Sequence, residues 1–138
     1  MKRNLFILTT IFSFLLLLTA CGGKEEPTPT PEPVGNAVKG EQLYKQFAIG
    51  SANAPGCMTC HSLEADVVLV GPSHAQIGAD AGSRVAGLSA EEYLRQSIIT
   101  PDAVVTEGYT AGVMYQNFGQ DLTEEEIDDL VAFLLTRK

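Results

Sequence analysis

The apolar positions of residues 37–47 fall at spacings close to one face of an α-helix. The residues that define this face are Val38, Leu43, Tyr44 and Phe47. Residues 50–56 are rich in Gly, Ala and Pro, which interrupts a helical pattern. The sequence therefore predicts a first helix over residues 37–47.

A second helix is predicted after Ser89-Ala90-Glu91-Glu92, which has the S-x-x-E form of a capping box. In this motif the Ser and Glu side chains satisfy N–H groups at the helix start. The apolar residues that follow are Tyr93, Leu94, Ile98 and Ile99. Thr100-Pro101 ends the helix, because proline cannot continue it.

The last helix has the strongest pattern in the chain. Thr123-Glu124-Glu125-Glu126 is a second capping box. Apolar residues then recur at i, i+3, i+4 and i+7, at Ile127, Leu130, Val131 and Leu134. The predicted helix closes with Arg137 and Lys138, whose charges suit a helix C-terminus.

No segment shows the sustained period-two alternation of a β-strand between turn signals. Residues 66–70 form an apolar run, but it is too brief to found a sheet. The sequence therefore predicts an all-α fold for residues 37–138, which are about a hundred residues and one small domain.

Residues 1–20 have the composition of an export signal. A basic start, Met1-Lys2-Arg3-Asn4, precedes a mostly apolar run from Leu5 to Leu17. Leu18-Thr19-Ala20-Cys21 then resembles the lipobox of bacterial lipoproteins, in which the cysteine becomes the lipidated first residue of the mature protein. The alternative is an uncleaved anchor helix, but the run is short for a membrane span. We therefore expect Cys21 to hold the protein on a membrane through several acyl chains.

Residues 21–36 join this anchor to the domain. Pro27, Pro29, Pro31 and Pro33 alternate with Thr and Glu, which favours extended polyproline II. At about 3.1 Å per residue, residues 22–36 reach up to roughly 45 Å from the lipid surface. It is predicted to be a tether, and its composition is equally consistent with a passive spacer of no tuned length.

The chemistry of the chain is concentrated in Cys57-Met58-Thr59-Cys60-His61. C-x-x-C-H attaches haem covalently, since two thiols at this spacing reach neighbouring vinyl groups and the histidine lies under the iron. C-x-x-C alone would leave zinc binding or thiol exchange open. The adjacent histidine, with no second cysteine pair downstream, argues against both. One covalently bound haem c, with its iron, is therefore the predicted cofactor.

The predicted haem and the predicted export agree on one compartment. Bacterial c-type haem is attached outside the cytoplasm, and Cys21, Cys57 and Cys60 are the three cysteines of the chain. With all three assigned, no thiol remains for a disulfide. We expect an extracytoplasmic protein that is lipid-anchored to a bacterial membrane, in the periplasm or on the outer face of the cytoplasmic membrane.

From about Val38 onward the chain resembles small single-haem bacterial cytochromes c of class I. In that family a glycine and an aromatic residue of the first helix pack on a leucine and an aromatic residue of the last. Gly40, Tyr44, Leu130 and Phe133 match those positions. The resemblance implies about three to five helices around one covalently bound haem.

The resemblance also implies the iron ligands. Gly71-Pro72 matches the family's Gly-Pro turn, in which the Pro72 carbonyl accepts a hydrogen bond from the imidazole of His61, the proximal ligand. Met114 lies in the loop where the family places its axial methionine. Filling a gap in the core is the alternative role for Met114. The family often has proline after this methionine, whereas this chain has Tyr115, so the rigidity of the loop is in question.

His74 is the other histidine of the chain, and three roles are open to it. It could be the sixth ligand in place of Met114. It could be an exposed polar residue. It could also be a pocket residue whose protonation tunes the potential, because it stands where the family has an apolar leucine on the proximal side.

These residues predict an electron-transfer protein and not an enzyme, since no catalytic base has a convincing position. The expected partners are redox proteins, such as a membrane oxidoreductase or a terminal oxidase. Removal of Lys2 and Arg3 with the signal takes the formal charge from −8 to −10, which argues against nucleic acid and favours basic or weakly charged partners.

Two alternatives remain. One is a haem enzyme, or a gas or peroxide sensor, with an open sixth position. The other is a fixed cytochrome subunit of a larger membrane oxidoreductase.

Overall fold

The computed structural model describes residues 34–138, and its regular structure is mostly helical. Five α-helices occur in this part of the chain: α1 Ala37–Tyr44, α2 Ile77–Arg84, α3 Ala90–Ile99, α4 Phe118–Asp121 and α5 Glu124–Leu135. Two 3₁₀ turns lie at Cys57–Thr59 and Pro101–Ala103. The predicted all-α fold class is confirmed.

Both predicted capping boxes are confirmed. At the start of α3, the Ser89 hydroxyl accepts from the Glu92 N–H at 3.2 Å, and the Glu92 carboxylate accepts from the Ser89 N–H at 2.8 Å. Thr123 and Glu126 repeat this arrangement at α5. The end of α3 before Pro101 is also as predicted. Local sequence therefore sets both N-termini.

The predicted first helix was too long at its C-terminal end. α1 stops at Tyr44, and a short antiparallel ladder follows, in which β1 (Ala48–Ile49) pairs with β2 (Ala54–Pro55). Phe47, which was assigned to the apolar helical face, is 80% exposed. Strands of two residues are too short to show an alternating pattern, so they cannot be recognised from the sequence.

Helix α2 was not predicted from the sequence. Its sequence, IGADAGSR, contains two glycines, which lower helix propensity, and Ile77 is its one large apolar residue. Tertiary contacts support it instead: Ala81 is fully buried, and the N–H groups of Gly78 and Ala79 donate to the Arg137 carbonyl at 2.9 and 3.2 Å. Tertiary packing therefore stabilises α2, whose two glycines lower its intrinsic helix propensity.

The last helix is shorter than predicted, because α5 ends at Leu135. Arg137 lies beyond it, and its guanidinium donates to the Leu63 carbonyl at 3.1 Å. This contact joins the C-terminal segment to the loop that follows the cysteine motif. Arg137, whose charge was expected to stabilise the end of the helix, therefore makes a tertiary contact instead.

Helices α1 and α5 cross closely at Gly40. A Cβ atom at Gly40 would overlap the backbone carbonyl of Asp129, so the helices can approach this closely only with glycine. One turn later, the rings of Tyr44 and Phe133 lie 5.3 Å apart. Leu130 is 1% exposed at the same crossing. The predicted close crossing at Gly40 and the contact of Tyr44 with Phe133 are confirmed, and Leu130 is buried as expected.

The N-terminus of α1 is tied to α5 by a buried carboxylate. Asp129 is 5% exposed, and its Oδ1 accepts from the Asn36 N–H at 2.6 Å. Asn36 in turn caps α1, since its side chain accepts from the N–H groups of Val38 and Lys39. The hydrogen bond from Asn36 to Asp129 therefore holds the start of α1 against α5.

Candidate functional site

The cysteine motif lies on the wall of a cavity of about 430 Å³, a volume typical of ligand sites. The 3₁₀ turn Cys57–Thr59 bends the chain so that the N–H groups of Cys60 and His61 both donate to the Cys57 carbonyl. Cys57, Cys60 and His61 all line the cavity. Met58 does not line it and is 37% exposed.

The His61 ring is fixed by Gly71 and Pro72. Its Nδ1 lies 2.8 Å from the Pro72 carbonyl oxygen. A carbonyl can only accept, so Nδ1 carries the proton and Nε2 keeps its lone pair for a metal. A Cβ atom at Gly71 would overlap the imidazole. The absence of a side chain at Gly71 therefore makes room for the ring.

Burial favours the neutral forms of Cys57 and His61. It raises the pKa of the Cys57 thiol to about 12 and lowers the pKa of His61. A neutral imidazole is the form that binds a metal. Zinc binding and thiol exchange both need a thiolate, which burial opposes at Cys57. A neutral thioether fits this environment better than a thiolate does.

Met114 is half-buried and lines the same cavity as His61. It follows an exposed loop and is tethered by Gln116, whose side-chain amide donates to the Met114 carbonyl at 2.7 Å. The next residue, Tyr115, donates to the Asp121 carboxylate at 2.5 Å, and its ring meets Phe118 edge-on at 5.0 Å. The segment after Met114 is thus held by side-chain contacts where the family often has proline.

Part of the remaining cavity wall is formed by the apolar core. Leu94, Ile98, Leu130 and Leu134 contribute to it from α3 and α5, and each is less than a tenth exposed. Together with the neutral cysteine and histidine, this apolar wall suits the face of a large aromatic ring system. The residues present therefore fit a covalently attached haem.

His74 is half-buried against His61. Its ring stacks on that of His61, with centroids 4.0 Å apart and planes 16° from parallel. The suggestion of an exposed residue is therefore wrong. Burial, with a smaller effect of His61, lowers the pKa of His74 to about 3. The ring is then neutral between pH 5 and 8, which does not support tuning by protonation in that range.

Arg84 lines the cavity, although it was not among the residues predicted from the sequence. Among residues 34–138, it is the one Lys or Arg side chain on the cavity wall, and it pairs with Asp80 at 3.2 Å. Both residues belong to α2, a helix that was not predicted from the sequence. No sequence pattern could have placed this cation beside the cavity before α2 was known.

Comparison with family models identifies the chain. The family model described as Cytochrome c matches residues 37–138. The chain belongs to the cytochrome c family, whose members are in general haem-binding electron carriers. Its cofactor is accordingly a covalently bound haem c with iron. Neither the search of curated proteins nor that of solved structures finds a match.

Three predictions concern residues outside the described part of the chain. The signal peptide of residues 1–20, the lipidation of Cys21 and most of the tether of residues 21–36 precede residue 34. Within residues 34–138, no helix has the length and apolar character needed to cross a membrane.

Proposed function

We propose that this protein is a class I cytochrome c that carries single electrons, with His61 and Met114 as the two axial ligands of its haem iron. Cys57 and Cys60 hold the haem through thioethers, and Pro72 orients His61. The observation that carries the proposal is the His61 geometry: Nδ1 is engaged by Pro72, so Nε2 is available on the cavity wall.

Electron transfer follows from the donors that the chain supplies. Bound haem supplies a one-electron couple, and a neutral imidazole with a thioether favours the reduced state more than two imidazoles would. Both donors come from anchored segments, and burial disfavours charge at Cys57 and His61. The chain therefore holds its ligands without needing a proton transfer or a ligand exchange.

We further propose that Cys21 anchors this domain to the outer side of a bacterial membrane. The support is the basic and apolar start of the sequence, the Leu18-Thr19-Ala20-Cys21 motif and the proline-rich tether. A tethered head can meet redox proteins in the membrane or beside it, such as an oxidoreductase or a terminal oxidase. The acidic charge favours partners with basic docking surfaces.

The ligand assignment is tested by visible spectra of the holoprotein, oxidised and reduced, beside a Met114→Ala variant. We expect a weak far-red methionine-to-iron band in the wild type and none in the variant. A high-spin wild type would instead favour an enzyme or sensor with an open sixth position. A low-spin wild type without the band would overturn Met114 as the ligand; His74 is a poor substitute, because its ring is stacked on His61. Met58→Ala is the matched control, because Met58 is exposed and does not line the cavity.

The anchor is tested separately by fractionating cells that express the wild type or Cys21→Ala. We expect the wild type to stay with membranes after a high-salt wash and the variant to lose acylation, as seen by mass spectrometry. An unmodified wild-type cysteine would overturn the lipid anchor and leave the ligand assignment untouched. Stoichiometric co-purification with other membrane proteins would favour a fixed subunit over a free carrier.

A further inference from the structure

His74 belongs to a hydrogen-bonded chain that ends at the proximal histidine. The Tyr44 hydroxyl lies 3.1 Å from the His61 carbonyl oxygen and 3.2 Å from Nδ1 of His74. Tyr44 is fully buried under α5, and the His74 backbone N–H donates to the Ser62 carbonyl at 2.8 Å. Both residues are therefore fixed relative to the motif.

The two contacts of Tyr44 determine the tautomer of His74. A tyrosine hydroxyl has one proton, and the His61 carbonyl can only accept it. For both contacts to be hydrogen bonds, Nδ1 of His74 must donate to the Tyr44 oxygen. His74 is then a neutral ring with its proton on Nδ1 and an unprotonated Nε2.

The stacking geometry places this ring directly against the axial imidazole. Centroids 4.0 Å apart at 16° mean that the two π faces are in contact. His61 is otherwise held by Pro72 through its ring edge and by Gly71. The His74 ring thus covers a face of the His61 ring, whereas Pro72 contacts the edge of that ring.

We propose that His74 is a positioning residue for the proximal ligand: held by Tyr44, it fixes the rotation of the His61 ring and lowers the reduction potential. This inference rests on the proposed axial role of His61. The oxidised state places more positive charge on the axial imidazole, and an adjacent electron-rich ring stabilises that charge better than an aliphatic side chain does. Replacement by an aliphatic residue should therefore raise the potential.

The test compares His74→Leu, His74→Phe and Tyr44→Phe in the holoprotein. Leucine keeps an apolar side chain but removes the ring. We expect it to raise the reduction equilibrium constant by up to about tenfold, which for one electron is about 59 mV. Phenylalanine restores a stacked ring and should recover most of the wild-type value. Paramagnetic NMR shifts of the haem methyl groups report the rotation of the axial imidazole and should move in His74→Leu but not in His74→Phe.

Tyr44→Phe separates the tether from the stack. It removes both hydrogen bonds and leaves the ring that packs on Phe133. We expect loss of the Nδ1-protonated signature of His74 in ¹⁵N NMR and a smaller rise in potential than for His74→Leu. In a variant that combines Tyr44→Phe with His74→Leu, the two changes in reduction potential should not add, because both act through the same contact.

Two outcomes would overturn the proposal. One is an unchanged potential with unchanged haem methyl shifts in a folded His74→Leu variant, which would make His74 a packing residue only. The other is equal shifts for the Leu and Phe variants, which would deny a role for the ring. A wild type that is high-spin, or low-spin without the far-red band, would contradict the proposed His61/Met114 ligation instead, so the two failures are distinguishable.

Discussion

Gly71 shows how a single missing side chain controls the site. The His61 ring lies where a Cβ atom of Gly71 would stand, while the Gly71 N–H donates to the Cys60 carbonyl at 2.9 Å. Gly71 is thus fixed against two residues of the motif, Cys60 and His61. A side chain here would push the imidazole away from its position beside Pro72.

We predict that Gly71→Ala destabilises the protein by about 1–3 kcal/mol through overpacking and reduces the yield of low-spin holoprotein. Unfolding in denaturant and the visible spectrum measure the two effects. Gly82→Ala is the matched control, because a Cβ there meets only ordinary contacts and should stabilise α2 by up to about 1 kcal/mol. Equal behaviour of the two variants would contradict the role of Gly71.

Tyr115 restrains the Met114 loop at the position where the family often has proline. Its hydroxyl donates to Asp121 at 2.5 Å, and Asp121 in turn accepts from the Ser51 N–H through its carbonyl at 2.8 Å. The hydrogen bond to Asp121 raises the pKa of Tyr115, so the hydroxyl keeps its proton through neutral pH. A side-chain bond replaces the backbone restriction of a proline.

We predict that Tyr115→Phe loosens this loop by about 1 kcal/mol, the usual value of one hydrogen bond. The far-red band should then disappear at a lower temperature than in the wild type, while the spectrum at low temperature stays the same. Ser83→Ala removes an exposed hydroxyl on α2 and serves as the control. A band of unchanged thermal stability would show that Asp121 does not hold the loop.

At the level of elements, the capping boxes are where local sequence contributes directly to stability. Hydrogen bonds from the Ser89 backbone and side chain lower the pKa of Glu92 below its ordinary value of 4.5. The ionised form is therefore favoured in the folded state. The resulting stability is fully present above the unfolded pKa and is lost as pH falls through the folded one.

We predict that Glu92→Gln makes the free energy of unfolding less dependent on pH below about 4.5, because the amide still accepts the hydrogen bonds but does not titrate. Denaturant titrations of the holoprotein at several acidic pH values measure the slope. Glu91→Gln, on the same turn, is the control. Identical slopes for the Glu92 variant and the wild type would show that this cap does not contribute to acid sensitivity.

Across the whole molecule, the acidic side chains concentrated at the start of α5 are partly neutralised by basic side chains of other helices. At the start of α5, Glu125 pairs with Lys39 at 2.7 Å, and Arg95 pairs with both Glu124 and Asp128. These pairs join α1 and α3 to α5; the exposed Lys39–Glu125 pair adds little stability, whereas Arg95 and Asp128 are half-buried. The overall charge nevertheless remains strongly negative, so long-range attraction of cations is expected.

We predict that oxidation of the reduced holoprotein by a cationic cobalt tris-phenanthroline complex slows by about tenfold between low and high salt. Anionic ferricyanide is the matched control, and its rate should rise as salt screens repulsion. Stopped-flow rates over a salt series measure both. Rates that do not depend on salt would reject steering by the net charge.

The sequence by itself determined the features that depend on neighbouring residues. C-x-x-C-H, the two capping boxes and the periodicity of α5 each act over a few positions, so they can be recognised without a fold. The resemblance to cytochromes c correctly extended this to the crossing at Gly40. Residues 1–20 and the lipidation of Cys21 stay predictions, since they lie outside the described residues.

Only the tertiary structure decided which distant residues meet. The stack of His74 on His61, the bond from Tyr115 to Asp121 and the position of Arg84 depend on contacts between segments that no local pattern encodes. Helix α2 and the β1–β2 ladder were missed for the same reason, because packing and not propensity stabilises such short elements. Local motifs specified the cofactor, and the fold specified the surroundings of its ligands.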